Sequence, residues 1–198
     1  MPRLTEATRS ARQEHILQTA VRCFARAGYH GTAMEEIAAE AGIAKGAAYV
    51  YFPSKEAIFL ALYESWDCTL QEEITSAIAA MPTAERASAR RVLRVIVEVN
   101  GQHVKAHAEA CRVLLEGRAL AAYIPSIGAR VRDNQHHGQA GLEQLLRAGI
   151  EAGEWPADLD VPLRARLLRA AIHGLMVSWH SEPVSVDWEA AGEALADW

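Results

Sequence analysis

The sequence predicts an all-α fold of about nine helices, and three observations support this fold class. Apolar residues recur at i, i+3 and i+4 along most of the 198-residue chain, which is the spacing of helices with one buried face. No segment shows the apolar–polar alternation that is typical of a strand. Glycine and proline interrupt the helical pattern at intervals that suit ordinary helices.

The first part of the chain predicts one long helix followed by two short ones. Helix one is predicted over residues 8–27 and is ended by the glycine that follows. Thr32 precedes Glu35 by three residues, a capping-box spacing that predicts the start of helix two. Gly42 ends this helix because glycine readily adopts the positive φ of a tight turn. Helix three is predicted at about Lys45–Tyr51.

The remaining helices are separated by prolines and glycines. Pro53 ends helix three, and Ser54 caps a long fourth helix that is predicted to end near Met81 and Pro82. The later helical segments are 84–122, which has room for two helices, 127–152, 161–180 and a short tail at 187–197. Together these segments account for the rest of the all-α fold.

Residues 34–51 fit the internal spacing of a DNA-binding helix-turn-helix. Small or apolar residues occupy each position that such a unit buries, and a glycine occupies the turn: Ile37, Ala38, Ala41, Ile43, Ala48, Tyr51 and Gly42. An αα-hairpin without a DNA partner can show the same pattern, so the spacing alone leaves both interpretations open.

The net charge of −5 does not exclude a nucleic-acid partner, because the charge is unevenly distributed. Residues 1–56 contain seven Lys or Arg and six Asp or Glu, a net charge of +1, so the rest of the chain carries −6. Three of these acids, Glu35, Glu36 and Glu40, lie on predicted helix two and are expected to face away from a ligand.

Residues 28–62 closely resemble the N-terminal region of the TetR family of transcriptional regulators. Five marks occur together in this segment: Gly31-Thr32, Ala41-Gly42-Ile43, Lys45-Gly46, Tyr49-x-Tyr51-Phe52 and Ser54-Lys55-Glu56. The rest of the chain matches the family only in being helical and of suitable length. The resemblance implies a DNA-binding domain at 1–54, a ligand-binding and dimerisation domain at 55–198, and a protein that is not an enzyme.

The resemblance also implies that helix three is the recognition helix and enters the major groove of double-stranded DNA. Lys45 would reach a phosphate or a guanine, and Gly46 would let the backbone come close to the DNA. Ala47 would offer its methyl group to a thymine methyl. Most relatives have Ser or Thr at the positions of Ala44 and Ala47, so we expect fewer polar contacts here.

Other residues of the resemblance would contact the DNA backbone. Thr32 would donate its hydroxyl, or the amides it caps, to a phosphate, and Lys55 would add another phosphate contact. One of Tyr49 and Tyr51 would pack inside, and the other would give its hydroxyl to a phosphate. The full predicted DNA-binding set is Thr32, Ala44, Lys45, Gly46, Ala47, Tyr49, Tyr51 and Lys55.

A homodimer on a pseudo-palindromic operator is expected, because one small helix-turn-helix contacts too few bases for useful specificity. Two apolar stripes are candidate pairing surfaces: Leu142, Leu145, Leu146 and Ile150, and Leu168, Ala171, Ile172, Leu175, Met176 and Trp179. Gly149 and Gly174 would allow close approach. Each stripe can instead close the core of its own monomer.

The C-terminal part is expected to hold an apolar pocket for a small-molecule effector, with a few polar side chains in its wall. The candidate residues are Trp66, Asn100, His103, His107, Cys111, Tyr123, His173 and Trp179. We expect effector binding to move helix four, change the separation of the recognition helices and release the DNA.

Two alternatives to this mechanism follow from the same residues. His103, His107 and Cys111 are spaced four apart and would share a helix face, which suits a metal sensor or a metal-dependent helical enzyme. We favour the pocket wall, so no metal and no cofactor are expected. A regulator without an effector, whose body only dimerises or meets a protein partner, is the other alternative. A sealed core without a cavity would favour it.

The sequence also predicts the cellular location. No apolar run approaches the roughly 20 residues of a membrane-spanning helix, and the first residues lack the features of a secretory signal. Cys23, Cys68 and Cys111 show no pairing pattern, so free thiols are expected. We therefore expect a cytoplasmic protein with no membrane partner.

Overall fold

A computed structural model describes residues 6–198, and within this range the protein is all-α, as predicted. The ten helices are α1 (Glu6–Gly31), α2 (Met34–Glu40), α3 (Lys45–Tyr51), α4 (Lys55–Ala80), α5 (Thr83–Arg86), α6 (Ala89–Ala106), α7 (Ala108–Leu120), α8 (Pro125–Glu151), α9 (Val161–Ser181) and α10 (Trp188–Asp197). The prediction of about nine helices omitted the four-residue α5. No helix in this range has both the length and the apolar character needed to cross a membrane. Residues 1–5, on which the expected lack of a secretory signal depends, lie outside the described range.

The chain forms two compact units. The first contains the residues up to Trp66 together with Glu109–Arg130, and the second contains Asp67–Ala108 and Val131–Trp198. The first unit therefore includes α1, α2 and α3, whereas α9 and α10 belong to the second. The predicted division of labour between residues 1–54 and 55–198 stays a prediction.

Four aromatic side chains form the centre of the first unit. The Phe59 ring centroid lies 5.8 Å from that of Phe24, 5.2 Å from that of Tyr29 and 5.9 Å from that of Tyr63. The Tyr63 hydroxyl donates a hydrogen bond of 2.9 Å to the carbonyl of Leu114, which ties α7 to α4. Phe24 and Tyr29 lie on α1 and Phe59 lies on α4, so this cluster packs the two helices against each other. Helices α2 and α3 lie between α1 and α4 in the chain.

The end of α1 is also held by α7. Gly28 leaves helical geometry with φ 72°, and helical structure then continues only to Gly31, so the predicted end of helix one is a kink. The Glu116 carboxylate accepts a hydrogen bond from the Tyr29 amide at 3.1 Å, and Arg112 donates one to the Ala25 carbonyl at 2.7 Å. These bonds satisfy backbone groups that the kink takes out of the helix.

The core of the second unit contains the buried members of both apolar stripes that are candidate pairing surfaces. Leu146 and Leu168 are fully buried, and they pack with Trp155. A Cβ atom added at Gly149 would clash with the Trp155 ring, so packing within the monomer requires glycine at this position. Gly174, by contrast, is exposed. The buried members of the stripes therefore close the monomer, whereas the other members are only partly buried, and the role of the stripes as pairing surfaces stays a prediction. The buried members are Leu142, Leu146, Leu168 and Ile172.

The three cysteines are free thiols, as expected. Cys68 is exposed, whereas Cys23 and Cys111 are buried. Burial raises the pKa of Cys111 to about 11, and burial together with a hydrogen bond to Glu40 raises the pKa of Cys23 to about 11. Both buried thiols therefore stay protonated near neutral pH.

Candidate nucleic-acid interface

Helices α2 and α3 and the turn between them form the predicted helix-turn-helix. Gly42 adopts φ 66°, and its amide donates to the Ala39 carbonyl at 3.1 Å. The Ile43 amide donates to the Ala38 carbonyl at 3.0 Å, which completes a Schellman motif at the end of α2. Of the predicted core positions, Ile37, Ala38, Ala41 and Ala48 are buried and Ile43 and Tyr51 are partly buried.

The outward face of α3 consists of four exposed residues, Lys45, Gly46, Tyr49 and Val50, which lie opposite the buried Ala48. Tyr49 is 41% exposed and Val50 is 69% exposed, so two large side chains project from a seven-residue helix. Val50 was not in the predicted site. Its position four residues after Gly46 is the sequence signal that places it on the same face.

The first residues of α3 provide few polar groups of their own. Ala44 is the N-cap residue and makes no side-chain hydrogen bond, which agrees with the expected loss of a capping hydroxyl. A Cβ atom added at Gly46 would have no neighbouring atom within 4 Å. Since glycine lowers helix stability by about 0.5–1 kcal/mol relative to alanine, the packing of this chain gives no reason for glycine here.

Acidic side chains of α2 neutralise basic ones on both neighbouring helices. The Lys45 ammonium lies 2.6 Å from the Glu35 carboxylate, and this hydrogen bond raises the pKa of Lys45 and lowers that of Glu35. Glu36 and Glu40 instead pair with Arg26 of α1, at 2.8 and 2.9 Å. Glu35 thus lies beside a predicted DNA-binding residue, and the expectation that all three acids face away from a ligand stays a prediction.

Thr32 is buried at the junction of α1 and α2. Its hydroxyl donates to the carbonyls of Gly28 at 2.8 Å and Cys23 at 3.2 Å, so it secures the end of α1. The predicted capping box is wrong, because Ala33 is the N-cap of α2 and makes no side-chain hydrogen bond. A phosphate contact by Thr32 stays a prediction.

Lys55, the first residue of α4, also binds this junction. Its ammonium donates to the carbonyls of Tyr29 at 2.5 Å and Thr32 at 2.7 Å, and it lies 4.5 Å from the Tyr29 ring centroid. Burial lowers the pKa of Lys55. The side chain thus joins α4 to the end of α1, and its predicted phosphate contact stays a prediction.

The predicted effector residues are divided between the two units. Trp66, Cys111 and Tyr123 belong to the first unit, and Tyr123 is largely exposed; Asn100, His103, His107, His173 and Trp179 belong to the second. The second unit has an open groove of about 400 Å³ between α9 and α10, and another of about 420 Å³ beside α6. None of the predicted residues lines either groove. The location of an effector pocket stays a prediction.

The shared helix face of His103, His107 and Cys111, on which the metal alternative depends, is absent because the helix is broken at His107. This residue has φ −124° and ψ 41°, and it separates α6 from α7. His103 is instead buried against Glu73, with 2.8 Å between Nδ1 and Oε2. Glu73 lies 30 residues earlier in the chain, so no local spacing could have indicated the pair.

Comparisons with known proteins cover both parts of the chain. The family described as bacterial regulatory proteins, tetR family, matches residues 16–62, and the BetI-type transcriptional repressor C-terminal family matches residues 89–198. The chain is 29% identical to the HTH-type transcriptional regulator AcrR of Shigella flexneri over 94% of this chain and 86% of that protein.

Two solved structures are similar in fold. A TetR transcription regulator from Haloarcula marismortui has a TM-score of 0.79 at 21% identity, over 95% of this chain and 96% of that one. FadR from Bacillus subtilis, solved in complex with stearoyl-CoA, has a TM-score of 0.76 at 20% identity, over 93% and 95%. With two family matches that together span most of its length, the chain belongs to the TetR family of bacterial transcriptional regulators.

Proposed function

We propose that this regulator is a homodimeric, cytoplasmic repressor that binds a pseudo-palindromic operator through α3 and releases it when a small molecule binds the region 55–198. The outward face of α3 is the observation that carries the proposal, because its four residues lie at the helix-turn-helix position that enters the major groove. The family assignment leaves the alternative of a metal-dependent helical enzyme without support.

The chemistry of this face suits DNA with few polar base contacts. Lys45 can exchange its carboxylate partner for a phosphate or for the acceptors of a guanine. The exposed Tyr49 can donate its hydroxyl to a phosphate, and Val50 can contact a thymine methyl. Gly46 lies between them with open space above its backbone, so the helix can approach the base edges closely.

An exposed apolar stripe on α9 supports the homodimer. Leu163, Leu167 and Val177 are exposed, and the small residues Ala170 and Gly174 lie between them at helical spacing. Burying apolar surface contributes about 25 cal/mol per Å², so a dimer in which a second copy covers this stripe would be more stable than the separate chains. The groove between α9 and α10 shares Gly174 with the stripe and would extend the same surface. In a two-fold dimer the stripe would face its own copy.

The proposal is tested with the DNA that flanks the chain's own gene, searched for an inverted repeat and used as a probe in a gel retardation assay. Lys45→Ala and Tyr49→Ala are each expected to weaken binding by about tenfold or more, because each removes a contact made twice per dimer, and so to abolish retardation at the protein concentration at which the parent half-retards the probe. Their dimers should remain folded, since both side chains are exposed.

Matched controls are available for both substitutions. Lys105→Ala and Tyr123→Ala also remove exposed side chains, but neither residue is near the helix-turn-helix in the sequence. Both variants should retard the probe as the parent does. Unchanged binding by Lys45→Ala and Tyr49→Ala would remove the roles assigned to α3.

Glu35→Gln is expected to strengthen operator binding by a few-fold. In the free protein the Glu35 carboxylate binds Lys45, so DNA must displace the carboxylate to reach the Lys45 ammonium. The carboxylate would also repel phosphates. Exposed ion pairs contribute about 0–1 kcal/mol, which limits the gain to this size. Fluorescence anisotropy at low and moderate salt measures the change, with Glu72→Gln on α4 as the control for a lost exposed acid. Equal or weaker binding by Glu35→Gln would show that the pair does not compete with DNA.

A further inference from the structure

Three metal-ligating side chains meet in the second unit, outside the surface assigned to DNA. They are Glu73 on α4, His103 near the end of α6 and His107 directly after α6. One possible ligand atom from each side chain lies within 4.8 Å of the other two. His103 is buried, Glu73 is half-buried and His107 is exposed, so the cluster reaches from the interior to the surface.

The two histidines lie one helical turn apart at the end of α6. The His107 amide donates to the His103 carbonyl at 3.0 Å and closes the last turn of the helix. The two imidazole ring centroids are then 4.7 Å apart. The Glu73 carboxylate is hydrogen-bonded to the buried His103, and the His107 imidazole lies beside the same carboxylate.

Two imidazoles and one carboxylate form a common ligand set for divalent first-row transition metals. Zinc binds such ligands at about 2.0–2.2 Å, so ligand atoms around one ion lie about 3.3 Å apart. The observed spacing of at most 4.8 Å is larger by an amount that side-chain rotation can supply.

We propose that Glu73, His103 and His107 bind a divalent first-row transition-metal ion, for which Zn²⁺ is the best match. Three protein ligands leave at least one coordination position open for water or for an oxygen or nitrogen atom of a small molecule. Magnesium is excluded as the preferred ion, because it binds oxygen ligands in octahedral geometry. The binding step needs no DNA, so it stands independently of the proposed repressor function.

The test uses the full chain without a histidine tag, after treatment with a chelator. Co²⁺ serves as a visible probe, and Zn²⁺ is titrated by calorimetry and in competition with Co²⁺. One Zn²⁺ per chain is expected, together with a Co²⁺ absorption band that Zn²⁺ removes. Mg²⁺ should give neither signal. The absence of stoichiometric Zn²⁺ binding at micromolar concentrations would overturn the proposal.

Variants identify the ligands. Glu73→Gln and His107→Ala should each lower Zn²⁺ affinity by at least about tenfold, since even residues outside the ligand set can change affinity by that amount. His107 is exposed, so its replacement should leave the fold intact and the melting temperature of the metal-free protein unchanged. His136→Ala removes another exposed histidine of the same unit and should bind as the parent does. Parental affinity in His107→Ala would overturn the assignment.

Discussion

Leu167→Glu is expected to convert the dimer into monomers and to weaken operator binding by at least about a hundredfold. Leu167 is 41% exposed at the centre of the α9 stripe. Burying a leucine contributes about 1.5–3 kcal/mol, and a two-fold interface loses this contribution twice. A carboxylate that is buried without a partner adds a desolvation penalty. Since a monomer contacts only half of the operator, tight binding is lost with the dimer.

Sedimentation velocity measures the oligomeric state, and anisotropy measures operator binding on the same samples. Val184→Glu is the matched control, because Val184 is 96% exposed in the short 3₁₀ turn Pro183–Ser185 of the same unit. It should remain dimeric and bind DNA normally. A dimeric Leu167→Glu protein would place the interface on another face, and a loss of helical circular dichroism would assign the effect to folding.

The boundaries of the helices were largely predictable, because they depend on local chemistry. Gly42 and Pro53 enclose α3, and its predicted and observed limits are the same, Lys45–Tyr51. The breaks near residues 82, 124 and 183 were also found, since proline cannot continue a helix. The four-residue α5 was not predicted because so short a helix has no periodicity to detect.

The partner of each apolar stripe was not predictable from periodicity. The sequence leaves open whether the stripe that contains Leu168 pairs subunits or closes its own monomer, and Leu168 is buried in the core of its own unit. An apolar pattern at helical spacing shows that one face of the helix is buried, but it does not show whether the same chain or a second copy buries it. The exposed stripe through Leu163, Leu167 and Val177 is sparser, because alanine and glycine separate its large residues.

The sequence identified the polar residues of the candidate site, but it did not identify the groups that these residues bind. The polar atoms of Thr32 and Lys55 bind backbone carbonyls at the junction of α1 and α2, a role that the sequence does not indicate, and their phosphate contacts stay predictions. The pairing of Glu35 with Lys45 was not predicted either. Such contacts join residues on different helices, so they depend on tertiary geometry that local spacing does not contain.

Gly46→Leu is expected to separate the stability of the protein from its binding to DNA. Leucine is a better helix former than glycine by about 0.5–1 kcal/mol, and the space above Gly46 is open. The free protein should therefore be as stable as the parent or slightly more stable. Specific complexes are roughly 10³-fold or more tighter than non-specific ones, and a side chain that holds α3 out of the groove should remove this advantage.

Chemical denaturation measures the first effect, and anisotropy on operator and scrambled duplexes measures the second. Ala79→Leu on α4 introduces the same side chain at an exposed helical position of the second unit and should leave operator binding unchanged. A loss of operator binding without a loss of stability would show that Gly46 is selected by contact with DNA. If Gly46→Leu keeps parental affinity, the backbone of α3 does not approach the bases at this position, and the outward face must bind DNA through Lys45, Tyr49 and Val50 alone.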